Sequence, residues 1–298
     1  MTPRFIDASA ERRLDWLALA DALLAGHGLP RAETRDTVLR RGADTILSRA
    51  AWIDGLGALV KTATVFPLNR DAPTINGAVA LFHDGDGTLA AMLDFHLVTK
   101  WKTAGDSLLA ARCLARPDSR RILLVGSGTV AASLREAYAA LFPEARFAVW
   151  SRDAAHARRF AAAHGAEPAP DLERAVGEAD IVATATMATE PIVRGAWLRP
   201  GQHLDLVGAY RADMREVDDE ALRRARIFVD CRDTTLDHIG ELRDPIARGV
   251  VAAGDVVADF YDGDRFRREG DDEITISKNG GGAHLDLMTA RHILDRIA

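Results

Sequence analysis

The chain has 298 residues, 48% of them hydrophobic, and its 38 Lys and Arg against 44 Asp and Glu leave a net charge of −6. That length suits two modest domains, the mixed charges with no basic stripe argue against a nucleic-acid partner, and no apolar run approaches membrane-spanning length. Cys113 and Cys231 lie far apart in apolar settings without metal-ligand or disulfide spacing, and Met1 to Asp7 hold no apolar signal region, so a soluble cytoplasmic protein with buried free thiols is expected.

Arg4 to Ile6 reads as a short strand. Ser9 can cap a helix running to about Ala25, with Trp16, Ala20 and Leu23 on one face, and Gly26, Gly28 and Pro30 end it. Asp44 to Arg49 and Gly57 to Val65 read as strands around the Asp54-Gly55 turn. Gly77 to His83 and Thr88 to Leu93 are two more, joined by Asp84-Gly85-Asp86-Gly87. This opening third is one helix and then an antiparallel, strand-rich segment.

A helical pattern begins at Thr103 and ends near Pro117. Then Arg121 to Val125 reads as a strand, Ala131 to Leu141 as a helix, and Arg146 to Trp150 as a strand. Helices follow at Ala154 to His164 and Asp171 to Gly177. Strands follow at Ile181 to Ala185, Leu204 to Gly208, Ile227 to Asp230 and Ile274 to Ser277. This alternation over about 105 to 280 predicts a doubly wound parallel sheet. The last helix, Ala283 to Ile297, is expected to pack back on the N-terminal part.

The strand at Arg121 ends in Gly126-Ser127-Gly128-Thr129-Val130-Ala131, a Gly-x-Gly-x-x-Ala turn into a helix. Gly126 lets the chain turn sharply, and Gly128 lets backbone N–H groups approach a pyrophosphate at the helix N-terminus. About twenty residues on, where an NAD-type site carries Asp or Glu for the ribose diol, Ser151 and Arg152 stand instead. A hydroxyl and a guanidinium suit a ribose 2′-phosphate, so NADPH is favoured with NADH possible; Asp153, next in line, speaks for the latter.

Ligands in such a sheet sit beyond the carboxyl ends of the strands. The candidates there are Ser127 and Thr129, Ser151 and Arg152, Thr186 and Met187, Ala209 and Tyr210, and Lys278 to Gly282. Asn279-Gly280-Gly281-Gly282 either approaches the nicotinamide or makes a turn before the last helix. Upstream, Arg49, Lys61 and Lys102 interrupt apolar runs with no evident acidic partner nearby, and Lys102 stands at the start of a helix. Each is either a snorkelling surface cation or part of a site for an anion such as a carboxylate.

Several stretches, taken together, carry a resemblance. They are Val60 to Asn69, Ala72 to Gly77, Leu97 to Ala104, the Gly126 turn, Gly208 to Glu216, and Lys278 to Ala283 with Asp286. In this order and spacing the chain resembles the ornithine cyclodeaminase/μ-crystallin family over nearly its whole length. The resemblance implies an α/β fold: a Rossmann doubly wound parallel sheet over 105–282 and a discontinuous α+β substrate-binding and dimerisation domain from 1–104 and 283–298. A homodimer follows from it.

The resemblance also implies roles. Lys61 and Lys102 match a lysine and an arginine that hold the substrate's α-carboxylate. Thr74, Thr103 and Thr186 match positions lining the cofactor and substrate, and Arg49 is a candidate carboxylate clamp. Two departures matter. Lys102 keeps the charge of the usual arginine without its bidentate geometry. Tyr210 stands where the cyclodeaminases carry an acid for the substrate amino group. The expectation is therefore an NADPH-dependent ketimine reductase, converting Δ1-pyrroline-2-carboxylate or Δ1-piperideine-2-carboxylate to L-proline or L-pipecolate. Ornithine cyclodeamination and alanine-type dehydrogenation are the alternatives on the same scaffold, and a μ-crystallin-like NADP-dependent binding protein is the alternative of another class.

Overall fold

The structure, a computed structural model, describes residues 3–297; Met1, Thr2 and Ala298, part of the expected terminal segments, lie outside the described residues. The chain forms two compact units, Met1–Gly105 with Gly282–Ala298, and Asp106–Gly281.

In the first unit β1 (Arg4–Ile6) precedes a 3-10 stretch (Ala8–Arg13) and then helix α1 (Trp16–His27). The single helix expected from Ser9 is thus broken. Asp7 caps the first piece by accepting from Ser9 N, Leu14 is extended, and Asp15 caps α1 by accepting from Ala18 N. Two aspartates each start their own turn, which a count of apolar spacings does not register. Five strands with α2 (Phe95–Leu114) follow: β2 (Glu33–Arg41), β3 (Asp44–Ile53), β4 (Gly57–Val65), β5 (Ile75–Phe82) and β6 (Leu89–Asp94). The sheet order is β1-β6-β5-β4-β3-β2, antiparallel except for the β1–β6 pair.

The strand β2 was not expected. It is an edge strand with no fully buried residue, so it lacks the alternation that marks a half-buried strand. Helix α2 begins eight residues before Thr103, where Asp94 accepts a hydrogen bond from Leu97 N. Lys102 therefore stands mid-helix, not at a helix start. The C-terminal helix (Ala283–Ile297) packs on α1 and across β2 to β5, as expected.

The second unit holds an eight-stranded sheet in which every pair is parallel. Its elements are β7 (Arg121–Val125), α3 (Thr129–Leu141), β8 (Arg146–Trp150), α4 (Ala154–His164), β9 (Glu167–Pro168), α5 (Leu172–Glu178), β10 (Ile181–Thr184) and β11 (His203–Leu206). Then come α6 (Asp219–Arg224), β12 (Arg226–Val229), α7 (Arg232–Thr235), α8 (Gly240–Ala247), β13 (Val256–Ala258) and β14 (Thr275–Lys278). The strand order is β13-β12-β14-β11-β10-β7-β8-β9. From β7 the chain winds one way to β9, then resumes on the other side at β10. This makes the doubly wound sheet expected, with its switch point between β7 and β10.

Ile122, Leu123, Leu124 and Val125 of β7 are all essentially buried, because helices cover both faces of a parallel sheet. Each such side chain contributes about 2 kcal/mol by leaving water. Helices α6 to α8 and strand β13 were not expected; at three to eight residues they are too short to show a period. Of the two thiols, Cys231 is buried, but Cys113 is only half-buried, so the expectation of two buried thiols holds for one.

Candidate active site

In the second unit the chain leaves β7 at Gly126 with φ +115, and a Cβ there would lie 2.5 Å from Ala185 O. Gly126 N donates to Trp150 O at 2.8 Å, which ties the turn to the end of β8. Gly128 is the N-cap of α3, with no side chain capping it, whereas Asp153 and Asp171 cap α4 and α5. A Cβ on Gly128 would meet nothing within 4 Å. The first amides of α3 thus remain open to an anion at the positive end of a helix of 13 residues. These residues fit a dinucleotide pyrophosphate, and Thr129 and Val130 are exposed beside it.

At the end of β8, Ser127 Oγ donates to Ser151 Oγ at 3.2 Å. Arg152 is exposed and makes no hydrogen bond or ion pair among the described residues. The Asp153 carboxylate is engaged by its own helix, accepting from Ala155 N at 2.7 Å. That bond holds its carboxyl below the usual range.

The loops after β10, β11 and β14 are organised by buried acids that were not singled out as site residues. Glu216 accepts from Thr186 N and Thr186 Oγ1 through one oxygen, and from Thr184 Oγ1, Gly208 N and Ala209 N through the other. The Thr186 hydroxyl, expected to line the site, is therefore engaged by Glu216. Asp230 accepts from Gly280 N and Gly281 N. The amides of Gly280 and Gly281 are thus engaged by Asp230 in the stretch before the last helix.

Asn279 is buried, its Nδ2 donating to Ser107 Oγ at 3.3 Å. Tyr138 Oη donates to Asp205 at 2.8 Å, and burial, with Glu216 adding to it, pushes Asp205 up to about 6 against its donors. Lys278 Nζ donates to Leu206 O and Asn279 O, and burial pulls it down while Glu216, Glu241, Asp230 and Asp205 support its charge. Tyr210 is exposed, and its Oη accepts from Arg211 Nη1 at 3.4 Å.

In the first unit the antiparallel register sets Asp36 opposite Arg49, and Arg49 opposite Lys61. All three stand on one face of the sheet, and each cation has an acid. Arg49 pairs with Asp36 at 2.7 Å, and Lys61 Nζ pairs with Asp286 Oδ1 at 2.7 Å. The expectation of cations without acidic partners fails for these two. Asp36 comes from the strand that was not recognised, and Asp286 lies 225 positions along the chain from Lys61.

Lys102 is 8% exposed and has no hydrogen bond or ion pair among the described residues. Lys61 also sits 4.8 Å from the centre of the Phe95 ring. Burial depresses Lys61, Asp286 counters this, and Lys102 and Arg49 add to the depression. His284 lies near these groups. Burial, then His27, Lys102 and Arg49, hold it well below the usual histidine range, so it is neutral. Thr103 is half-buried on α2, and Thr74 is exposed in the loop between β4 and β5. The structure joins Arg49, Lys61, Asp286, Lys102 and His284 electrostatically, and Thr74 stands outside that set.

The sequence model described as "Ornithine cyclodeaminase/mu-crystallin family" matches residues 55–298. The chain is 51% identical over 304 aligned residues to the Delta(1)-pyrroline-2-carboxylate reductase of Paracoccus denitrificans, with 98% of this chain and 96% of that protein covered. It is 31% identical to the ketimine reductase mu-crystallin of Mus musculus over 76% of this chain and 71% of that one. Among solved structures, Thermococcus litoralis Delta(1)-pyrroline-2-carboxylate reductase, in complex with NADH and L-proline, matches with a TM-score of 0.88 at 24% identity, covering 98% of this chain and 97% of that one. That likeness carries the fold, and the two sequence relatives carry the kinship. The chain belongs to the ornithine cyclodeaminase/mu-crystallin family.

Proposed function

We propose that this chain reduces a cyclic ketimine carboxylate, Δ1-pyrroline-2-carboxylate or Δ1-piperideine-2-carboxylate, to L-proline or L-pipecolate at the expense of NADPH. The observation that carries this reading is the 51% identity, over nearly the full length of both chains, to a Delta(1)-pyrroline-2-carboxylate reductase. The substrate-binding unit is 1–104 with 283–298, and the dinucleotide-binding unit is 105–282. Lys102, a buried cation without an acid, and Lys61 take the substrate carboxylate. Arg49 lies one strand away and supports them.

Fixing the carboxylate orients the C=N carbon for attack, the proximity part of catalysis. The bound nicotinamide supplies the hydride. A protonated imine is the better acceptor, and the Lys61 ammonium or a water it holds supplies that proton. On the cofactor side, Gly126, Ser127, Gly128, Thr129 and Val130 cradle the pyrophosphate, while Thr103, Thr186, Tyr210 and Asn279 border the nicotinamide end. Ser151 and Arg152 take the ribose 2′-phosphate; supporting this, Asp153 is held by its helix.

Tyr210 in place of an acid argues against cyclodeamination. The small-molecule partner is an imino or amino acid. Among the described residues, no helix is long and apolar enough to cross a membrane.

The experiment is a substrate panel with both cofactors. NADPH oxidation with either cyclic imino acid is expected, and ammonia release from L-ornithine is not. Binding of cofactor and ligand without turnover would instead favour the binding-protein reading. Replacing Ser151 and Arg152 by acidic residues should weaken NADPH about tenfold or more relative to NADH, the scale of one or two lost charge-assisted hydrogen bonds. Equal weakening overturns the 2′-phosphate assignment.

A further inference from the structure

Asp286 belongs to the first turn of the C-terminal helix and is fully buried. Its Oδ1 accepts from Lys61 Nζ at 2.7 Å, and its Oδ2 is buried with no hydrogen bond from the described residues. A buried carboxylate with one oxygen unsatisfied is costly unless a charge faces it. The helix N-terminus favours the negative charge, but Lys61 is the group that pairs with it.

The charges around Lys61 come from several elements. β3 supplies Arg49, held by Asp36 of β2; α2 supplies Lys102 and the Phe95 ring; the C-terminal helix supplies Asp286 and the neutral His284. His27 of α1 stands against His284, with ring centres 5.7 Å apart, and Arg31 also bears on His284. Among these, Asp286 is the acid that supports the Lys61 charge; burial, Lys102 and Arg49 all oppose it.

We propose that Asp286 is a positioning residue for the imine reduction, holding Lys61 Nζ in place and in its charged form so that it can meet the substrate carboxylate. The proposal rests on the imine-reductase reading. Asp286 touches neither substrate nor cofactor in this scheme; it acts through Lys61. Without its charge, burial, Lys102 and Arg49 all favour the neutral amine, and of the groups named only the Phe95 ring still supports the ammonium. The alkaline limit of activity then moves to lower pH, since activity needs Lys61 charged and is lost as pH rises through its titration. The substrate imine titrates identically with every variant, so the difference between variants reports on Lys61.

The test compares kcat/KM for the cyclic imino acid in the wild type, Asp286→Asn and Asp286→Glu. In Asp286→Asn the alkaline limb should fall by about one pH unit or more, a loss of about tenfold at the alkaline end, since one unit of pH is tenfold in ionisation. The loss should show in KM, because Lys61 anchors the carboxylate in bound substrate and transition state alike, and in kcat, because its ammonium or a water it holds gives the imine its proton. At the acid end the two enzymes should converge, and Asp286→Glu should restore most of the limb. A limb that does not move, whether or not activity falls uniformly at every pH, overturns the proposal.

Carbon NMR of reductively methylated protein, with Lys61→Arg marking the resonance, reads the Lys61 titration without turnover. Inactivity of the wild type on both imino acids would sink the imine-reductase reading alone. A Lys61 titration unchanged in Asp286→Asn would sink the role of Asp286 alone.

Discussion

Arg49, Lys61 and Lys102 each interrupt an apolar run, and the structure separates them by what faces each. Arg49 has Asp36, Lys61 has Asp286, and Lys102 has no acid among the described residues. A buried cation that lacks a partner is costly to keep, so Lys102 is the one most in need of an anion. Lys102→Met should lower kcat/KM about ten- to a hundredfold, the scale of a hydrogen bond to a charged group. Lys102→Arg should retain activity, because the guanidinium keeps the charge and adds a fork for the carboxylate. Steady-state kinetics decide it; unchanged kcat/KM in Lys102→Met means that the substrate is anchored elsewhere.

The strand, turn and helix around Gly126 were legible from the residues. A buried parallel strand needs an unbroken apolar run, and a turn at φ +115 favours glycine. Gly126→Ala should cost roughly 1–3 kcal/mol, because it adds backbone strain and brings a Cβ against Ala185 O. Its melting temperature should fall, and its cofactor affinity should fall with it in a binding titration. An unchanged melting temperature would show that the turn relaxes.

The loops beyond β10 and β11 were less legible. Glu216 was visible within a recognised stretch, but its role as acceptor for five donors depends on Thr184 and Thr186, 32 and 30 positions upstream, meeting Gly208 and Ala209 at one carboxylate. Strand β2 was missed because its side chains are exposed, and with it went the partner of Arg49. The early start of α2 could have been found from Asp94, an N-cap candidate ahead of a polar and apolar mixture.

In the first unit, the six-stranded sheet has one face set against the C-terminal helix through Lys61 and Asp286. On the opposite face Leu39, Ile46, Trp52 and Val60 are exposed, a patch in keeping with a second copy of the chain. A dimer paired through this face should dissociate into folded monomers in Ile46→Lys with Val60→Lys, since both side chains point away from the core. Light scattering on the eluting protein checks this. A wild type that is monomeric, or a double variant that stays dimeric, removes this face as the interface.

By itself the sequence determined the local grammar: which runs become strands, where glycines turn the chain, and that the second unit is a parallel sheet with a glycine turn leading from a strand into a helix. Those properties depend on side-chain period and on backbone freedom, which neighbours in sequence carry. Which acid neutralises which cation was decided only by the tertiary structure. The register of β2 and β3 brings Asp36 to Arg49, and the packing of the C-terminal helix brings Asp286 to Lys61. Electrostatic partnership depends on distance in space, and the folded chain alone sets that distance.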